Sequence, residues 1–231
     1  YGDDIGKVEL VQTIGNDLSV VNAARVSFGV EKEELDERDK KLINYLVKHK
    51  HTSTLEHCFM TFKFVVPLYV RSQHHRHRTW SYNEISRRYT DVDIQFYEPT
   101  SFRTQHETNR QASNQDNINP DLRSYTNSLV PSSPHPADEA IRWHHKSCLD
   151  LFNTLLEKGV CREQARGVLP QNLYTTYIGS VNLNNLLKFI ALRDHEGAQW
   201  EIQQMARACL TLAQEHFPHT INSYRENSQG H

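Results

Sequence analysis

Glycine is scarce and is not arranged for the commonest way of holding a nucleotide. The nine glycines (2, 6, 15, 29, 159, 167, 179, 197 and 230) never form G-x-G-x-x-G or G-x-x-x-x-G-K-[ST], so neither glycine-rich phosphate cradle is present. Any nucleotide must be held by side chains. Long apolar runs are also missing. The longest stretch, 59–70, is broken by Thr61, Lys63 and Pro67, far short of the ~20 apolar residues of a membrane span. Only four cysteines occur (Cys58, Cys148, Cys161, Cys209), with no C-x-x-C pair. That excludes a dense disulfide framework and makes a reducing cytoplasm the expected home. The start, Tyr1-Gly2-Asp3-Asp4, has no basic region followed by an apolar core, so no secretory signal is expected; it also lacks Met, which suggests that a few native residues are missing. Hydrophobic residues make up 37% of the 231, below the roughly 45–50% of a typical globular domain. With 26 Lys+Arg against 28 Asp+Glu the net charge is −2, which argues against a protein held on nucleic acid by bulk positive charge.

The patterning that is present reads as α+β. Asn16-Asp17 before Leu18, Val21 and Ala24 predicts a short capped helix. Asp36, followed by Leu42, Ile43, Leu46 and Val47, predicts a second, amphipathic one. Over 59–66, Met60, Phe62, Phe64 and Val66 alternate with Phe59, Thr61, Lys63 and Val65, the period of a strand buried on at least one face. Pro67 then suits a first helical position, predicting a helix to about residue 77 with Gln73, Arg76 and His77 on one face. Residues 99–137 are rich in Asn, Ser, Gln, Thr and Pro and read as a long mobile insertion, unable to bury enough surface to offset its ordering entropy. Asp138 is expected to cap a helix ended by Gly159, and two more helices are expected over 181–193 and 198–216. The expectation is a single domain with an antiparallel or mixed sheet partly covered by helices.

Chemistry concentrates in residues 76–89, where fourteen residues hold Arg76, Arg78, Arg87, Arg88, His77, Glu84, Asn83, Ser81 and Ser86. Guanidinium forks bind phosphate bidentately, while Glu84, Asn83 and Ser86 offer donors and acceptors to a heterocycle. Together with the interleaved aromatics and Gln73, the cluster points to a phosphate-bearing ligand. A single-stranded nucleic-acid binder, with Trp80, Tyr82 and Tyr89 stacking on bases, is disfavoured by the negative charge. A metal hydrolase built on the 14 histidines is disfavoured by spacing, for there is no H-E-x-x-H and no paired cysteine. No serine lies in G-x-S-x-G. Taken alone, Arg166 and Arg193 read as charges at helix ends.

The segment resembles the hallmark of the flavin-dependent thymidylate synthases, R-H-R-x-x-S-x-N-E-x-S-x-R-Y. Arg76, His77, Arg78, Ser81, Asn83, Glu84, Ser86, Arg88 and Tyr89 meet every specified position. Similarity extends to Gly15-Asn16-Asp17-Leu18-Ser19, Ala23-Ala24-Arg25-Val26-Ser27, His51-Thr52-Ser53, Glu56-His57, Leu169-Pro170, Asn172-Leu173-Tyr174-Thr175 and Ala198-Gln199-Trp200-Glu201-Ile202, leaving only 99–137 private to this chain. The resemblance implies conversion of dUMP to dTMP, with methylenetetrahydrofolate as carbon donor, reduced FAD as hydride donor and NADPH re-reducing the flavin. It implies that Gln73, Arg76, Glu84, Ser86, Arg88, Arg166 and Arg193 bind dUMP. Ser53, Arg76, His77, Arg78, Glu84, Asn182, Asn184 and Lys188 are then expected toward FAD, with His51 near its ring. Arg193, Ser86 and His51 are the implied catalytic residues. Arg193 would stabilise uracil ionised at N3, as a fixed cation favours an anionic ring. A homotetramer with sites shared between subunits is also implied, with no metal, nucleic acid or membrane as partner. The chain departs from the family at Asp194-His195-Glu196-Gly197-Ala198, where Gly197 supplies no side chain, and at Asn184 and Lys188.

Overall fold

The computed structural model describes residues 1–122 and 136–228. By packing, the chain divides into two compact units, one made of Tyr1–Val65, Ser72–Glu84 and Thr176–His231, the other of Val66–Arg71 and Ile85–Thr175. In chain order the regular elements are β1 (Lys7–Ile14), α1 (Asp17–Arg25), α2 (Glu37–Lys48), β2 (Phe59–Pro67), α3 (Leu68–His74), β3 (Ser81–Glu84), β4 (Phe102–Gln105), β5 (Ser113–Ile118), α4 (Ala137–Glu157), α5 (Arg162–Ala165), β6 (Tyr174–Asn182), α6 (Leu183–Arg193), α7 (Trp200–His216) and α8 (Pro218–Ser228). The class is α+β, as the patterning predicts.

The first unit is built on a four-stranded sheet of order β1-β2-β6-β3. β1 pairs antiparallel with β2 and β3 antiparallel with β6. Alternation in β2 does what its sequence requires: Met60, Phe62 and Phe64 are fully buried, and Phe62 and Phe64 pack against Trp80 at 6.2 and 6.0 Å between ring centres. The two capped helices form as expected. Asn16 accepts from the Ser19 backbone N–H at 3.1 Å while the Ser19 hydroxyl accepts from the Asn16 N–H at 3.2 Å, and Asp36 accepts from the N–H groups of Arg38 and Asp39 at 2.7 and 3.0 Å. Such caps satisfy donors that the first helical turn leaves unpaired. Asp39, wholly buried, pairs with Arg25 and, at 2.5 Å, with Lys32.

In the second unit the polar insertion carries two short strands. β4 and β5 pair antiparallel within it, held by side chains in place of apolar burial. Arg103 donates to the Ser113 hydroxyl at 3.1 Å, Asn114 to the Thr104 hydroxyl at 3.0 Å, and Gln105 to the Ala112 carbonyl at 3.1 Å. Residues 123–135 of the expected insertion lie outside the described residues. Three helix ends also need correction. α4 has Pro136 as its cap, and Asp138 sits in its first turn, accepting from Asn119 at 2.6 Å. Gly159 follows its end with a left-handed φ of 85°, as expected. The helix after β2 stops at His74, because residues 76 and 77 are turned back by backbone bonds to Gln73 and His74. Residues 181 and 182 finish β6 before α6 starts.

Candidate active site

The R-H-R segment rests on a floor of rings belonging to the first unit. His74 is fully buried, its Nδ1 2.8 Å from the Tyr177 hydroxyl. Burial first, then the neighbouring His77, His75 and Arg193, hold its pKa well below the imidazole range, so it is a neutral structural group. Trp80 packs edge-on against His74 at 4.5 Å and parallel to Tyr82. The Tyr82 hydroxyl donates to the His74 carbonyl at 2.9 Å, pinning β3 to the end of α3. Under Trp80 lies Gly179, where a Cβ would come within 3.2 Å of the indole and 3.0 Å of the Phe64 ring. On this floor the turn lifts Arg76 and Arg78 into solvent. Neither guanidinium has a side-chain partner among the described residues.

Between those arginines His77 points inward. Its Nε2 accepts from the Arg193 Nε–H at 3.1 Å, joining the motif to the last residue of α6. Burial, and then the adjacent Arg193 charge, push the His77 pKa down to about 4. The imidazole is therefore neutral at pH 7 and able to accept. Arg193 is thus oriented through one nitrogen, and no group among the described residues bonds its terminal fork.

Gln73 is oriented by a second chain of groups. Its Nε2 donates to Gln199 Oε1, and Gln199 Nε2 donates to Glu201 Oε2 at 2.9 Å. Glu201 is buried near the start of α7. Neither Gln199 nor Glu201 was singled out for a role by sequence; the signal available was an amide and a carboxylate two residues apart at a helix start.

The other residues expected toward flavin are scattered over this unit. His51 and Ser53 are exposed at a 3-10 turn, His51 lying edge-on to Tyr45 at 5.5 Å. Asn182 caps α6, accepting from the Asn185 N–H at 2.9 Å. Asn184 is buried and donates through Nδ2 to Glu56 at 2.8 Å, whereas Lys188 is exposed. Glu84 is half-buried on β3, in register with Tyr177.

Ser86, Arg88 and Arg166 belong to the second unit. Glu163 brings the two arginines together: its carboxylate lies 3.4 Å from Arg88 Nη2, and its carbonyl accepts from Arg166 Nε at 3.4 Å. The Ser86 hydroxyl accepts from the Arg88 N–H at 3.3 Å. Arg87, by contrast, is buried and donates to the carbonyls of Val92 and Asp93 at 2.5 and 3.2 Å, a structural role that removes one of the four arginines from the ligand count. Glu163, three residues before Arg166, also escaped the sequence reading.

Among the described residues no group of three His, Cys, Asp or Glu side chains could hold a metal ion, and no helix is long and apolar enough to cross a membrane. The four cysteines are free. Burial pushes the Cys58 thiol up to about 11 and raises Cys148 and Cys209 as well, the opposite of what a thiolate nucleophile needs.

A family model described as thymidylate synthase complementing protein matches residues 9–219. A flavin-dependent thymidylate synthase of Thermus thermophilus is 40% identical over 224 residues, covering 97% of this chain and 77% of that protein. The chain belongs to this family. Another flavin-dependent thymidylate synthase, from Thermotoga neapolitana, is 39% identical over 221 residues, covering 96% of this chain and 91% of its own length. Among solved structures, a UMP/dUMP methylase, PolB of Streptomyces cacaoi, bound with 5-Br UMP, superposes with a TM-score of 0.79 at 28% identity, covering 97% and 95% of the two chains. The same methylase bound with 5-Br dUMP gives 0.77 at 30% identity, covering 96% and 95%. Membership of the flavin-dependent thymidylate synthase family therefore spans both compact units.

Proposed function

We propose that this protein methylates dUMP to dTMP in the cytoplasm, taking the carbon from methylenetetrahydrofolate and the hydride from a bound FAD that NADPH re-reduces. The observation that carries the reading is Arg193, a half-buried guanidinium held through Nε by a neutral imidazole with its fork left open. A cation that keeps its proton lowers the cost of ionising uracil at N3 and stabilises charge that develops on the ring. Arg88 and Arg166, gathered around Glu163, take the phosphate; Gln73, Arg76 and Glu84 hold the rest of the nucleotide, and Ser86 positions the ring.

Bound FAD supplies the hydride. The donor set suits it: Arg76 and Arg78 present exposed guanidinium groups, with no partner among the described residues, on a turn stiffened by Trp80 and Tyr82, which fits a diphosphate in a chain without a glycine-rich cradle. Ser53, His77, Glu84, Asn182, Asn184 and Lys188 complete the proposed flavin contacts, and His51 stands by its ring. The raised pKa values of Cys58, Cys148 and Cys209 support activation of uracil by charge, with no cysteine attached. The assembly proposed is a homotetramer with sites shared between subunits. Purified protein loaded with FAD is expected to bleach anaerobically with NADPH and to release dTMP from dUMP and methylenetetrahydrofolate. Flavin-loaded protein that bleaches but forms no dTMP would remove the activity, and failure to bind FAD at micromolar concentration would remove the cofactor.

A further inference from the structure

The chain Gln73–Gln199–Glu201 has a direction. Gln199 turns its NH2 toward Glu201, whose Oε2 accepts at 2.9 Å. That places the Gln199 carbonyl at the other end, where it accepts from Gln73 Nε2. The amide of Gln73 is thereby committed through its nitrogen to the protein, and its oxygen is the end left over. No group among the described residues bonds that oxygen. Glu201 and Gln203 are both buried, and Gln203 donates to the Ala198 carbonyl at 2.6 Å, which fixes the start of α7 from which Gln199 projects.

We infer that Gln199 and Glu201 are positioning residues that force Gln73 to present a hydrogen-bond acceptor, so that it reads the sugar hydroxyl of the uridine nucleotide and never the phosphate. The phosphate carries only acceptors and would meet the amide oxygen as a repulsion, so the recognition of phosphate falls to the arginines. A glutamine free to turn would tolerate either partner; one locked by a buried carboxylate discriminates, because the wrong ligand group leaves two acceptors facing each other. The inference rests on the dUMP reading above.

The test inverts the relay. Gln199→Lys puts an ammonium, which has only donors, between Gln73 and Glu201. It pairs with the buried carboxylate and turns the Gln73 carbonyl toward itself, leaving an NH2 to face the ligand. Calorimetric titration of the FAD-loaded protein with dUMP is expected to show binding weakened about tenfold or more. Adding Gln73→Glu restores an acceptor on the ligand side while keeping the pair with the ammonium, and is expected to return affinity to within about threefold of the parent. A residue with a merely structural role would show no such rescue. Titration with 2′,3′-dideoxyuridine monophosphate, which lacks the sugar hydroxyl, is the second arm: the parent should bind it more weakly than dUMP, that preference should vanish in Gln199→Lys, and equal affinity of the parent for both nucleotides overturns the inference. Should that variant fail to fold, Gln199→Met, which frees the amide without inverting it, should lose the same preference. Unchanged dUMP affinity in folded Gln199→Lys, or a double variant no better than the single one, overturns the inference. Parent protein that binds FAD but not dUMP overturns the earlier reading instead, and this one with it.

Discussion

Replacing His77 separates orientation of Arg193 from its charge. Arg193 Nε donates to His77 Nε2 at 3.1 Å, and a hydrogen bond from a charged donor contributes about 1.5–3 kcal/mol. His77→Ala removes the acceptor and the ring that packs edge-on against Phe189 at 4.9 Å, while the guanidinium stays charged. Freed, the side chain regains part of the roughly 2 kcal/mol of rotamer entropy that an arginine carries, and the ligand must take it away again. We expect dUMP to bind about 1–2 kcal/mol more weakly, or some 5–30-fold in Kd. His77→Gln places a carbonyl near the position of Nε2 and should recover most of that loss. Calorimetric titration with dUMP is the assay, run on protein whose flavin occupancy has been equalised by its visible absorbance, since His77 is also proposed to contact FAD. Wild-type affinity in His77→Ala, or equal losses in the Ala and Gln variants, would refute the positioning argument.

The same residue sets an acid limb. With the folded His77 pKa depressed to about 4 against about 6.5 unfolded, the unfolded chain binds a proton between those values that the native one lacks. Through His77 alone, stability therefore falls as pH drops from 6.5 toward 4, by at most about 1.4 kcal/mol per unit and less for a group partly screened by solvent; the slope of urea midpoints should be shallower in His77→Gln, leaving the part that belongs to buried His74. Arg88→Ala or Arg166→Ala should weaken dUMP binding by about 2–5 kcal/mol and deoxyuridine binding less. The Arg88–Glu163 pair is exposed and contributes about 0–1 kcal/mol, so an unchanged melting temperature should accompany the loss, and equal losses for both ligands would assign the arginine to the base. Replacing all four cysteines by Ser or Ala should leave turnover within about tenfold; inactivity restored by returning one cysteine would overturn the cysteine-free mechanism. Asp39→Ala strands Arg25 and Lys32 beside a buried site and should cost about 3 kcal/mol, measurable by urea denaturation.

The elements legible in the sequence were those with strong local signals. Asn16 and Asp36 cap their helices, and the alternation of Met60, Phe62 and Phe64 gives β2, because both are written within a few residues. β1 and β6 were missed, for Lys7–Ile14 and Tyr174–Asn182 carry too many polar residues to stand out, and their strand character comes from partners distant in sequence. β4 and β5 show a limit of compositional reasoning. Composition gives no sign of pairing in this polar segment, where Arg103, Thr104, Asn114 and Gln105 link the two strands through side-chain hydrogen bonds. At the site, the motif named its arginines but not their division of labour. Nothing local distinguishes Arg87, spent on the carbonyls of Val92 and Asp93, from Arg88 beside it. Nor does sequence bring His77 to Arg193, or Gln73 to Gln199, across more than a hundred residues.

Gly179 has a consequence for how errors in this protein will appear. Its single hydrogen is the clearance between the sheet and the indole of Trp80, which stands in the chain two residues after Arg78 and one before Ser81. An added methyl at 3.0–3.2 Å from two aromatic rings cannot be absorbed by a flexible side-chain tip, and overpacking of this kind costs about 1–3 kcal/mol. Relief comes from moving the ring, and the ring carries the hallmark with it. The interior thus works as a gauge that sets the height of the binding groups above it. Damage to the gauge would be scored in an assay as lost chemistry, though the altered atom lies beneath the sheet face and touches no ligand.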